Sequence, residues 1–224
     1  MSRGLASALR ALGPGDLSPE GRLLFATYGV RLFAYGFLSV VLGLYLAALG
    51  LGPGSIGAIL TAALAGGAAM TALLSGVADR LGRRRILLTG ALLMALAGAI
   101  FALTDNPILL GVAAVLGTIS PSGKEVGPFL SVEQAILPQT TTDDRRTGVF
   151  ALYNLAGSLA GALGSLAVGL PGILGLGPLA GYRLLMWGYV AAAIVLLALY
   201  ARLSPAVEAS PGRSRASWPR FGVH

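Results

Sequence analysis

A chain of 224 residues that is 55% hydrophobic and 11% charged, with mean hydropathy +0.79 and net charge +7, carries about half the charge of a soluble domain and cannot bury its apolar surface in one. In a soluble protein the basic excess would point to nucleic acid; here the charges flank long uncharged stretches, so membrane lipid is the expected partner and nucleic acid is not. There is no cysteine and one histidine, the terminal His224, which excludes a disulfide framework, thiolate or serine–histidine catalysis and a histidine-cluster metal site; no enzyme, metal or cofactor is expected.

In chain order, residues 1–22 read as a cytoplasmic tail with Arg3, Arg10, Asp16, Glu20 and Arg22, and the apolar run that follows is too long for a cleavable signal. Breaking the apolar runs at Gly, Pro and Asn predicts six spans over 23–49, 55–77, 86–104, 108–135, 148–170 and 184–201. At 1.5 Å per residue each crosses ~30 Å of hydrocarbon. The connections 50–54 and 105–107 are tight, so neighbouring spans run antiparallel. The expected fold is thus an all-α polytopic membrane protein, a six-helix bundle over 23–203. The tail 204–224 reads as a truncated cytoplasmic linker, and 210–220 consist largely of residues with GC-rich codons.

Small residues dominate two spans: Gly57, Gly66, Gly67 and Ser75 in the second, and Gly157, Gly161, Gly164 and Gly169 in the fifth. Ordinary close packing is the preferred reading of both sets over a hinge or cavity role.

Basic residues set the orientation. Arg3, Arg10, Arg22, Arg80, Arg83, Arg84, Arg85, Arg145, Arg146, Arg202, Arg213, Arg215 and Arg220 flank one side of the predicted spans, and Arg183 alone flanks the other. Thirteen against one places both termini in the cytoplasm, with a prokaryotic cytoplasmic (inner) membrane as the expected location.

Ionisable groups inside spans are costly and mark candidate sites. Arg31 lies about 12 Å along the first span, with Tyr28 and Tyr35 on nearly the same face; it either lines a cavity or snorkels to the surface. Residues 120–128 interrupt the fourth span with two prolines and two glycines beside Lys124 and Glu125, and Glu133 follows two turns on. Irregular backbone at membrane depth belongs beside protein or a watery cavity. A span ending before the break would be too short to cross. Arg31 and Lys124 as cations face Glu125 and Glu133 as anions, and pairs between helices are favoured over neighbours on one helix. Asn154 in the fifth span completes the cavity candidates.

Between the second and third spans lies Ser75-Gly76-Val77-Ala78-Asp79-Arg80-Leu81-Gly82-Arg83-Arg84-Arg85. A carboxylate there can accept from the open N-H groups of a helix start, while the arginines suit an anionic inner leaflet. The run resembles the signature loop of the major facilitator superfamily, roughly Gly-x-Leu-Ala-Asp-Arg-x-Gly-Arg-Arg, and the likeness covers about 23–202. It implies two six-helix halves, with this chain as the N-terminal one, alternating access for a small solute, and a cytoplasmic gate at Asp79, Arg80, Gly82, Arg83 and Arg84. Three departures stand out: Ser75 where the family has glycine, no arginine within 108–117, and no proline within 161–164. The first bears on packing of the preceding turn, and the other two leave proton-exchange export unsupported. The alternatives are a non-transporting fragment or assembly partner, or a half active only as a homodimer.

Overall fold

The computed structural model describes residues 17–124, 129–142, 145–204 and 208, with backbone alone at 75–80. Ser18 opens α1 (Pro19–Ala48) by accepting from the Gly21 amide at 3.2 Å, and Pro19 occupies the first turn, where a missing N-H costs nothing. α1 ends where Gly50 takes φ +81. α2 (Pro53–Leu81) and α3 (Arg83–Leu103) are joined by Gly82 alone, at φ +96 and ψ 128, a region open to glycine. The basic hairpin expected between 77 and 86 is therefore mostly helix. Asp79 and Arg80 fall in the last turn of α2, and their side chains lie outside the described residues.

Asn106 caps α4 (Pro107–Leu116), accepting from the amides of Ile108 at 2.9 Å and Leu109 at 3.4 Å. α4 stops after 10 residues, about 15 Å, and α5 (Phe129–Ile136) has 8. The continuous helix is thus interrupted, as expected, but from Gly117 rather than 120. Thr118 holds φ +52, outside the range comfortable for a β-branched residue. A 3-10 turn (Leu137–Thr140) leads to α6 (Arg146–Ala167), a short α7 (Leu170–Ile173) and α8 (Pro178–Ala201). α8 starts earlier than the expected 184 because Pro178 fits the first turn, which puts Arg183 inside the helix. There its guanidinium meets Asp105 at 2.7 Å, at the exposed end.

Among the described residues five helical stretches are long and apolar enough to cross a membrane: Pro19–Ala48, Pro53–Leu74, Arg83–Leu103, Arg146–Ile173 and Pro178–Ala201. α1 packs most heavily on α6 and α8, α8 on α3, and α2 on α4. Glycine decides the α1–α6 crossing. A Cβ on Gly36 would sit 2.1 Å from the Gly161 carbonyl oxygen, and one on Gly164 would sit 2.0 Å from that of Phe33. Close packing, rather than a hinge, explains these residues. Leu155, Leu159 and Leu163 on the opposite side of α6 are exposed and form an apolar ridge.

Hydrogen bonds gather the helix ends. At one end Ser18 donates its amide to Thr140 (3.3 Å) and Ser204 its hydroxyl to Glu20 (3.0 Å). At the other the Tyr45 hydroxyl donates to the Phe101 carbonyl (2.5 Å) beside Asp105–Arg183. Among the described arginines that flank spans, Arg22, Arg83, Arg84, Arg85, Arg145, Arg146 and Arg202 belong to the first end, and Arg183 to the second.

Candidate functional site

Arg31 sits in α1 near its first end, fully buried, and forms a bidentate pair with Glu133 of α5: Nη2 to Oε2 at 2.6 Å and Nη1 to Oε1 at 3.0 Å. Neither expectation for Arg31, cavity lining or snorkelling, holds, because α5, α6 and α8 close over it. Tyr153 of α6 donates to Oε2 at 2.5 Å, Tyr200 of α8 donates to Oε1 at 2.7 Å, and the Thr27 hydroxyl lies 3.0 Å from Oε1. The carboxylate's acceptor positions are filled. Phe129 and Tyr28 place their rings 4.6 and 5.6 Å from the guanidinium carbon. A buried ion pair offsets its desolvation only with such complete hydrogen bonding. The cluster is a polar staple joining four helices.

Tyr28 is the staple's outer wall. Its ring stacks on Tyr153 at 3.9 Å and also borders a cavity of about 390 Å³ between α1, α6 and the segment that follows α4. Gly157 makes room for that ring, since a Cβ there would lie 2.1 Å from it. Ser39, Ser122, Ser158, Ser165 and Lys124 supply the cavity's polar groups. Lys124 is placed by a turn in which the Ser120 hydroxyl donates to its carbonyl at 2.5 Å, and Gly123 bends the chain at φ +67.

The other sequence candidates divide. Tyr35 is buried in the core, its ring 6.4 Å from that of Tyr189. Asn154 is exposed, gives its amide to the Phe150 carbonyl of its own helix at 3.0 Å, and does not line the cavity. Glu125 lies outside the described residues.

At the junction of α2 and α3 the open start of α3 is filled by an acid from late in the chain. Glu208 accepts from the Arg83 amide at 2.6 Å and the Arg84 amide at 3.3 Å, as a carboxylate suits a helix N-terminus. Arg84 in turn donates Nη2 to the Ala201 carbonyl at the end of α8, at 2.6 Å. A Cβ on Gly82 would lie 3.1 Å from Glu208 Oε1, so both the turn and the cap favour glycine there. Sequence reasoning missed Glu208, Tyr153 and Tyr200. Glu208 carried a weak signal as the only acidic residue after Asp144. The tyrosines carried none, being one apolar-helix aromatic among several.

Spans of this number and apolarity, with a short helix interrupted beside a polar cavity, define an all-α polytopic membrane protein. Residues 24–222 match the family model described as Major Facilitator Superfamily, and the chain belongs to that superfamily. It is also 37% identical over 153 residues to a Saccharomyces cerevisiae (strain ATCC 204508 / S288c) protein described as "Uncharacterized membrane protein YJR124C". The match covers 68% of this chain and 34% of the relative, so the chain spans about a third of that relative's length.

Proposed function

We propose that this chain is the N-terminal half of a secondary transporter that moves a small solute by alternating access. The observation that carries the reading is the interruption after α4, which faces a cavity walled by α1 and α6 within a chain of this superfamily. Broken helices near the middle of a membrane characterise solute sites, and such sites form where two bundles meet. The relative's greater length leaves room for a second bundle. Asp79, Arg80, Gly82, Arg83 and Arg84 act as the cytoplasmic gate, with Glu208 and Ala201 holding Arg83 and Arg84 in place.

Flux tests this reading. In liposomes the chain alone is expected to give no saturable solute uptake, and the same chain joined to a second six-helix half is expected to give it. Saturable flux from a stable homodimer would replace the half-transporter reading with a homodimeric one. Absence of flux in the joined protein, across a broad solute panel and with or without an ion gradient, would leave the assembly-partner reading.

Orientation has its own test, aided by a chain free of cysteine. Gln139→Cys, at the basic end, is expected to react only with reagents that enter the cytoplasm, and Gly52→Cys, at the other end, with an impermeant external reagent. Reaction of Gln139→Cys from outside reverses the orientation.

A further inference from the structure

The cavity beside the broken helix has a polar lining with a definite hydrogen-bonding sense. Each serine hydroxyl on its two helix walls spends its proton on backbone. Ser39 donates to the Gly36 carbonyl (2.8 Å), Ser158 to that of Asn154 (2.9 Å), and Ser165 to those of Gly36 and Gly161 (3.1 Å each). A hydroxyl has one proton and two lone pairs, so these three oxygens are left to accept from an occupant. Lys124 is the opposite kind of group, three donors and a positive charge, and among the described residues lining the cavity it is the only one that carries charge. Beside it Ser122 accepts from the Lys124 amide at 3.4 Å and keeps its own proton for the occupant's acidic group; the rest of the wall is glycine, Leu32 and the Tyr28 ring.

From this we infer that the cavity binds a small hydroxylated anion, its acidic group on the Lys124 ammonium and its hydroxyl protons on Ser39, Ser158 and Ser165. A purely apolar solute leaves the ammonium and the serine oxygens without partners. A cation meets Lys124 as a like charge. A neutral polyol satisfies the serines and leaves the charge unused. About 390 Å³ lies at the small end of ligand cavities, which fits a solute of a dozen or so heavy atoms. The inference rests on the transporter reading for the cavity's purpose, but the binding chemistry stands on the residues themselves. A free hydroxy acid and the glycerol phosphate headgroup of a lipid share that chemistry.

The test uses the full chain in phosphatidylcholine nanodiscs, with thermal unfolding followed against gluconate and glycerate. Sorbitol serves as the probe with donors but no charge, and butyrate as the probe with charge but no donors. A second arm includes phosphatidylglycerol in the disc. Gluconate or glycerate is expected to raise the melting temperature saturably, with butyrate weaker and sorbitol without effect. Lys124→Gln, at an exposed position that leaves the unliganded melting temperature unchanged, is expected to weaken the response about tenfold or more, the loss of a charge-assisted hydrogen bond. Lys124→Arg retains it, and Glu125→Gln does not weaken it. A Lys124-dependent response in the phosphatidylglycerol arm alone assigns the anion to a lipid headgroup. A response equal in Lys124→Gln, equal with sorbitol, or missing from both arms overturns the site. If Lys124-dependent binding is found while the joined two-half protein carries no flux, the transporter reading falls and the site remains; flux indifferent to Lys124→Gln gives the reverse.

Discussion

Glu133→Leu is expected to be the most damaging single substitution in the bundle, because it strands the Arg31 guanidinium in a fully buried site. Breaking one side of a buried pair costs about 3–5 kcal/mol. Arginine cannot shed its proton to escape, whereas the Glu133 carboxylate left by Arg31→Met keeps two hydroxyl donors. Arg31→Met is therefore expected to cost less than Glu133→Leu, and Tyr153 and Tyr200 still serve the carboxyl group. The double replacement Arg31→Met with Glu133→Leu removes both charges at roughly conserved volume and is expected to be milder than either single change. Thermal unfolding of the four proteins in one detergent checks the order. Additive losses, with the double variant the worst, would show that the pair is not energetically coupled.

The second large effect is expected at the α1–α6 crossing. Gly36→Ala and Gly164→Ala each drive a methyl group to about 2 Å from a backbone carbonyl oxygen of the facing helix. No side-chain rotation relieves a clash with backbone, so the helices must separate, at the upper end of the roughly 1–3 kcal/mol of an overpacked core or above it. Separation also lengthens the Ser165–Gly36 hydrogen bond of 3.1 Å. Gly43→Ala on the same helix is the control: nothing lies within 4 Å of its would-be Cβ, and alanine is the better helix former. Equal behaviour of Gly36→Ala and Gly43→Ala in unfolding or folded yield would refute the crossing argument.

The staple and the cavity divide the work of the first helix. Thr27 and Arg31 turn toward α5 and α8, while Ser39 turns toward the cavity and Tyr28 touches both. A polar knot of this kind holds the four helices it joins in one arrangement. Bidentate geometry and three hydroxyl contacts on one carboxylate leave little freedom at that point.

What the sequence determined by itself is local. Runs without charge marked the spans, Gly and Pro marked their ends, and the lopsided arginines gave the expected orientation, because bilayer thickness and backbone hydrogen bonding constrain each segment separately. The interruption within 120–128 was legible for the same reason: prolines, glycines and charges together are incompatible with a lipid-facing helix. Extents such as α2 reaching Leu81, or the break starting at Gly117, were not, since helix ends depend on what packs or caps there. Partner choice was decided only by tertiary structure. Arg31 had several possible anions, and its union with Glu133 across 102 residues, like the capping of α3 by Glu208 across 125, follows from how the helices are arranged in space. Spacing along one helix reports which residues share a face, and carries no information about what that face meets.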